Sequence, residues 1–324
     1  AEMAALSSFF RQSTWIPTPE LTEKNLPNQA GRVFIVTGGY AGIGYELTKI
    51  LYEHDGTVYV AGRSEEKGNK AISEIRDAVP SSKGKLVFMH VDLADLTTIK
   101  PGVEKFLAQE SRLDVLTNNA GVMTPPSGSK TAQGYELQMG TNVLGSFLLT
   151  KLLLPIIEKT AASSPAGSTR VTFAGSLAVD LMSPTGGVAW TDGEPTVHGT
   201  QQANYGQSKA GNALLASALR RRYEKSGIIS NAWNPGNLKS ELQRHQSSVQ
   251  AMFIGMLTYP VHLGAYTELF AGWGEEAGRS ENAGKFIIPW GRFGPVRSDV
   301  AEAMENGGDE KLWEWCEKAS AQYA

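Results

Sequence analysis

Apolar runs of about five or six residues recur along the chain, separated by longer stretches in which apolar and polar positions mix at helical spacing. The first, Arg32-Val33-Phe34-Ile35-Val36-Thr37, is β-branched and stopped by Gly38, which suits a strand buried on both faces. Runs of the same kind predict strands over 57–61, 85–89, 113–117, 170–174, 227–233 and 285–289. Between them, Tyr45 to His54, Glu65 to Val79, Leu96 to Glu110 and Gly134 to Glu158 read as helix, as does the stretch after Tyr205. Strands alternating with helices predict an α/β fold, a doubly wound parallel sheet of seven strands in one domain spanning 32–324. Residues 1–31, marked by Pro17, Pro19 and Pro27, read as an arm. Two stretches interrupt the alternation, about 177–204 and 240–259, and read as insertions that wall a substrate site.

Composition narrows the function classes. In 324 residues, 41% hydrophobic and 19% charged positions are globular values, and a net charge of −3 offers nucleic acid no field. The single cysteine, Cys316, excludes a disulfide framework and a cysteine metal site, and reads as a packed thiol. His54, His90, His198, His245 and His262 lack ligand spacing, so no metal is expected. No apolar run reaches the length of a membrane span, and residues 1–30 lack a basic segment followed by an apolar one. A cytoplasmic enzyme is the expectation.

The first chemical signal follows the first strand. In Thr37-Gly38-Gly39-Tyr40-Ala41-Gly42-Ile43-Gly44, glycines at 38, 42 and 44 allow a tight turn, backbone approach to a pyrophosphate and close helix–strand packing. The following helix would point its N-terminus at the anion. The second strand ends Ala61-Gly62-Arg63. A free ribose 2′-hydroxyl usually meets an acidic residue here; a guanidinium suits a 2′-phosphate instead, so Arg63 predicts NADP(H).

The second signal is Tyr205 with Lys209, one helical turn apart. Free tyrosine titrates near about 10, and a nearby ammonium favours the phenolate, which would bring the phenol towards useful proton transfer at neutral pH. Alone, the spacing also fits a solvated helix face. Further pieces stand in order: His90-Val91-Asp92-Leu93, Asn118-Asn119-Ala120-Gly121, Thr141-Asn142-Val143, Ser176, and Pro235-Gly236. Taken singly, Ser176 reads as a strand-end serine, Asn142 as a polar helix residue and Asp92 as a helix cap.

With these pieces together, the chain from about 30 to 290 resembles a short-chain dehydrogenase/reductase with a Rossmann fold, and within that family the branch similar to retinol dehydrogenases and the WW-domain oxidoreductase. The resemblance implies that Tyr205 is the general acid/base, Lys209 its partner and a binder of the nicotinamide ribose, Ser176 a hydrogen-bond donor to the substrate oxygen, and Asn142 the holder of a relay water. It implies that Asp92 and Leu93 meet the adenine, and that Gly38, Tyr40, Gly42, Ile43, Gly44, Arg63, Asn119, Ala120, Gly121, Pro235, Gly236 and Leu238 line the cofactor. Gly175 replaces a serine common in the family, and Ser240 stands near the place of a threonine that meets the carboxamide.

The reaction implied is hydride transfer between NADP(H) and a hydrophobic ketone, aldehyde or secondary alcohol, the activity of a ketoreductase of secondary metabolism among other roles. Leu181, Met182, Val188, Ala189 and Trp190 in one insertion, and Val249, Met252, Phe253, Ile254, Met256, Leu257 and Tyr259 in the other, are candidate lining, although core packing also explains several. The alternative is a non-catalytic NADP(H)-sensing protein, but such proteins usually lose the Tyr/Lys pair. Relatives often form homodimers through the helix bearing that pair and the long helix before it. Here Ala210, Ala213, Ala216 and Ala218 offer small residues for such packing, and core burial explains them equally well.

Overall fold

All seven apolar runs form strands: β1 (Val33–Thr37), β2 (Thr57–Gly62), β3 (Lys85–His90), β4 (Val115–Asn118), β5 (Arg170–Ala174), β6 (Ile229–Trp233) and β7 (Phe286–Ile288). The computed structural model describes residues 2–238 and 258–324. The main sheet has eight strands among the described residues, because Arg292–Gly294 adds β8, antiparallel to β7. Gly291, at φ 92°, reverses the chain between them. Three residues are too few to show a period of two, which is why this strand is not read from the pattern.

The order is β8-β7-β6-β5-β4-β1-β2-β3, and β1 through β7 run parallel. Successive strands step outward from β1 in one direction as far as β3, then in the other from β4. That reversal opens a crevice beyond the carboxyl ends of β1 and β4, the place where such sheets bind ligands. β1 is buried at every position: Ile35 faces one core layer, with Leu116 and Phe147, while Phe34 and Val36 face the other, with Leu47 and Leu269.

The helices are α1 (Glu2–Ser13), α2 (Gly42–Glu53), α3 (Glu65–Ala78), α4 (Ile99–Leu107), α5 (Ser146–Ala162), α6 (Ala178–Leu181), α7 (Gln201–Tyr223), α8 (Val261–Trp273), α9 (Ser298–Glu305) and α10 (Gly308–Ser320). The arm expected over 1–31 thus begins with a helix. A seven-residue π-turn, Met139–Gly145, runs into α5. The long helix starts later than its pattern suggests, because Gly134 takes φ 87° in a turn. Met139 to Ala162 is apolar and long enough to cross a membrane, contrary to the reading from the sequence, but 83% of its apolar window is buried inside the fold.

Helix α10 lies along α7 and α5. Trp313, 1% exposed, meets Phe147 edge-on at 4.8 Å, with Lys151 and Arg222 over its ring. Lys151–Glu317 and Arg222–Glu310 ion pairs flank it. Trp313→Ala is expected to cost about 3–5 kcal/mol, read as a lowered midpoint in denaturant unfolding. Ala210, Ala213, Ala216 and Ala218 are all buried, and Leu312 packs beside Gly211, so these small residues serve the chain's own core. Cys316 is buried as a packed thiol.

Candidate active site

Thr37 ends β1, and its hydroxyl accepts from the Ala120 N–H at 2.9 Å, while its carbonyl accepts from the Asn119 side chain at 2.8 Å. These bonds bring the Gly38–Gly44 loop against the Asn118–Gly121 segment after β4. Gly38 and Gly42 take φ 67° and 54°. A Cβ on Gly44 would come within 2.6 Å of the Asn119 amide nitrogen and 2.7 Å of the Gly38 carbonyl oxygen, so glycine alone permits this approach. Ala41 caps α2 without a side-chain hydrogen bond, and the first turn carries no acid. Its leading N–H groups and the positive end of the helix dipole suit a phosphate. The loop therefore fits a dinucleotide on its own geometry.

The other expected cofactor residues follow the ends of β2, β3 and β6. A Cβ on Gly62 would reach within 2.2 Å of the Tyr40 ring, so that ring lies over the end of β2. Arg63 beside it is exposed and makes no hydrogen bond or ion pair among the described residues. The Asp92 carboxylate accepts from the Ala94 N–H at 2.9 Å, and its own N–H donates to Thr98, so Asp92 braces the turn after β3. Asp95, not Asp92, caps the helical segment that follows. Leu93 is 5% exposed and packs in the core, with its carbonyl pressed to Gly145. Ile43, Pro235 and Leu238 converge at Gly264, where a Cβ would meet all three. Gly236, at φ 91°, lies under the Trp290 ring.

The four expected catalytic residues gather where β4 and β5 end. Asn142 sits in the π-turn, a helical defect common at functional sites. Its amide accepts from the Val122 N–H at 2.8 Å and donates to the Val122 carbonyl at 3.0 Å and to Ser208 at 2.9 Å. Ser176 follows β5, and its hydroxyl accepts from the Ala178 N–H at 3.1 Å. Lys209 donates to the Ala174 carbonyl at 3.1 Å and lies 5.6 Å from the Tyr205 ring centre. A Cβ on Gly121 would stand 3.0 Å from the Asn142 carbonyl oxygen and 3.4 Å from the Lys209 Nζ.

The electrostatics depart from the sequence expectation. Burial pushes the Tyr205 phenol above its ordinary value, and the neighbouring Ser176 hydroxyl draws it only part of the way back. Burial lowers the Lys209 ammonium to about 8. The two groups share one low-dielectric site, and each is held towards its neutral form. Both shifts run against a phenolate at Tyr205.

The insertions divide. Leu181 and Met182 are exposed, and the Met182 backbone packs against Gly206, next to Tyr205. Val188 is buried in the core, the Ala189 N–H donates to Gln207, and Trp190 stacks edge-on with Trp315 beneath Lys311. These contacts are structural: Val188 packs in the core, Ala189 is tied to α7, and α10 covers Trp190. Val249, Met252, Phe253, Ile254, Met256, Leu257 and Ser240 lie outside the described residues. Tyr259 packs on Trp290 at 5.1 Å and donates to the Ser13 carbonyl.

Sequence reasoning missed several supporting groups. Thr37 joins two motifs, Ser208 holds Asn142, and Asn212 donates to the Ala174 carbonyl that also accepts from Lys209. Asn212 and Ser208 lie on the Tyr205–Lys209 helix, and their place beside the motif is the one signal that could have found them. No group of three or more metal-ligating side chains occurs among the described residues.

A doubly wound sheet with a glycine-rich first turn and a Ser-Tyr-Lys cluster defines a nicotinamide-type oxidoreductase architecture. The short chain dehydrogenase family model matches residues 32–178. A short-chain dehydrogenase/reductase of Phomopsis amygdali is 44% identical over 315 residues, covering 94% of each chain. An uncharacterized protein from Mycobacterium paratuberculosis superposes with a TM-score of 0.66 at 27% identity, over 94% of this chain and 98% of that one. A Shigella flexneri short chain dehydrogenase solved with NADP superposes at 0.59 with 21% identity, over 81% and 98%. The chain belongs to the short-chain dehydrogenase/reductase family and is an oxidoreductase of that class.

Proposed function

We propose that this protein is an NADPH-dependent carbonyl reductase acting on an apolar ketone or aldehyde, with Tyr205 as proton donor. The observation that supports this most is the half-buried Tyr205 phenol beside the Ser176 hydroxyl, with Lys209 one turn away. The cofactor, when bound, supplies the hydride. As negative charge grows on the substrate oxygen, Tyr205 donates its proton and Ser176 a hydrogen bond, which stabilises the charge where it develops. Lys209, held by the Ala174 carbonyl, keeps a positive charge near the phenol as proton density leaves it. Asn142, fixed by three hydrogen bonds, shapes the floor below Lys209.

The choice of NADPH rests on the end of β2. Position 62 is glycine, with the Tyr40 ring over it, so no carboxylate stands there to receive a ribose 2′-hydroxyl. Arg63 is exposed and free to meet a 2′-phosphate. The NADP bound by the Shigella flexneri neighbour is in keeping with this reading. Arg63→Ala is expected to raise KM for NADPH about 10- to 100-fold and leave NADH little changed. An unchanged NADPH/NADH preference overturns the assignment. The exposed Leu181 and Met182 beside Tyr205 favour an apolar substrate, and NADPH oxidation against apolar ketones and aldehydes tests it.

A further inference from the structure

The C-terminal turn of α1 is buried although it is polar: Gln12 is 2% and Ser13 0% exposed. Gln12 lies between two buried partners, each beside one side of the candidate site. Its Nε2 donates to the Asp180 carboxylate at 3.1 Å, and its Oε1 accepts from the Asn234 Nδ2 at 2.7 Å. Asp180 is on α6, the turn that follows Ser176. Asn234 stands just after β6, and its Oδ1 accepts from the Gly236 N–H at 3.0 Å. Ser8 adds a hydrogen bond to the same Asp180 oxygen, and the Arg297 N–H donates to the other at 2.8 Å. Ser13 accepts from Asn237 at 2.9 Å.

The chain of bonds has one possible direction. Asp180, as a carboxylate, only accepts, so the Gln12 amide must turn its NH2 to it and its oxygen to Asn234. Asn234 must then turn its NH2 to Gln12 and its oxygen to the Gly236 N–H. The amide orientations are thus dictated at both ends, by an acceptor that cannot donate and a donor that cannot accept. Each of the three side chains is at least nine-tenths buried, where a broken bond leaves an unpaired polar group at full cost.

We propose that Gln12 is a positioning residue: through Asp180 and Asn234 it fixes the Ser176 turn relative to the Pro235–Leu238 loop. This rests on the proposed reading that Ser176 meets the substrate oxygen and that the Gly236 loop flanks the cofactor. A shift of either wall separates the proton-donating side from the hydride-donating side. Misplacement on the ångström scale can cost about 100-fold in rate.

Gln12→Glu and Gln12→Glu with Asp180→Asn, in the full chain, test it. The single change sets two carboxylates against each other. The double change restores every bond with the donor moved to residue 180, whose oxygen still accepts from Arg297. Gln12→Glu is expected to lower kcat for carbonyl reduction about 10-fold or more at saturating NADPH, and the double variant to recover to within about 3-fold of wild type. Amide hydrogen exchange over 234–238 should rise in the first and return in the second. Wild-type kcat and exchange in Gln12→Glu, or no recovery in the double variant, overturn the proposal. The exchange arm needs no turnover, so it reports on the linkage even if the carbonyl-reductase reading fails. Tyr205→Phe run in parallel tests that reading separately.

Discussion

Tyr205→Phe is expected to lower carbonyl reduction about 1,000-fold or more while NADPH binding stays near its wild-type strength. The change deletes one oxygen and keeps the ring that packs beside Lys209 at 5.6 Å. What disappears is the proton donor and one of two hydrogen bonds to the developing alkoxide; Ser176 remains. Because burial holds the phenol protonated, wild-type enzyme starts reduction with the donor already loaded. The check is steady-state NADPH oxidation beside a fluorescence titration of NADPH. More than about 5% residual turnover would place the proton donor elsewhere.

Lys209→Met should lower kcat about 100- to 1,000-fold and flatten the pH profile. The wild-type sign follows from the two shifts. Lys209, lowered to about 8 by burial, carries its charge below that pH and loses it above. Tyr205, shifted upward, keeps its proton through the neutral range. Reduction uses both protonated forms, so its rate should be level at neutral pH and fall as pH rises through about 8. Oxidation of the alcohol needs the phenolate and should rise with pH instead. Methionine matches the length of the lysine stem but carries no charge, so in the variant the fall near 8 should vanish. Single-turnover reduction between about pH 6 and 10 reads this directly; a fall near the same pH in Lys209→Met assigns the titration to another group.

The sheet was legible because β1, β2, β4, β5 and β6 are buried on both faces or nearly so, the edge strand β3 keeps an apolar centre, and each run is bounded by glycine or polar residues. The motif residues were legible for a related reason. Most follow the carboxyl ends of strands, where the topology forces loops from distant parts of the sequence into one crevice. What failed was anything decided by a neighbour remote in sequence. Val188, Ala189 and Trp190 look like substrate lining until the fold buries Val188, ties Ala189 to α7 and packs Trp190 under α10. Gln12 and Ser13 look like arm residues, and their partners lie 168 to 246 positions away. The direction of the Tyr205 shift failed too: spacing places a lysine nearby, but it does not reveal how far the fold takes both groups out of water.

The most direct test of the central claim follows the label. The protein is incubated with NADPH carrying deuterium at the transferred position and a panel of apolar ketones and aldehydes, and the products are weighed by mass spectrometry. The expected result is an alcohol bearing one deuterium on the former carbonyl carbon with wild type, and none above background with Tyr205→Phe. Tight NADPH binding with no labelled alcohol from any member of the panel, or equal labelling by the two proteins, would contradict the account.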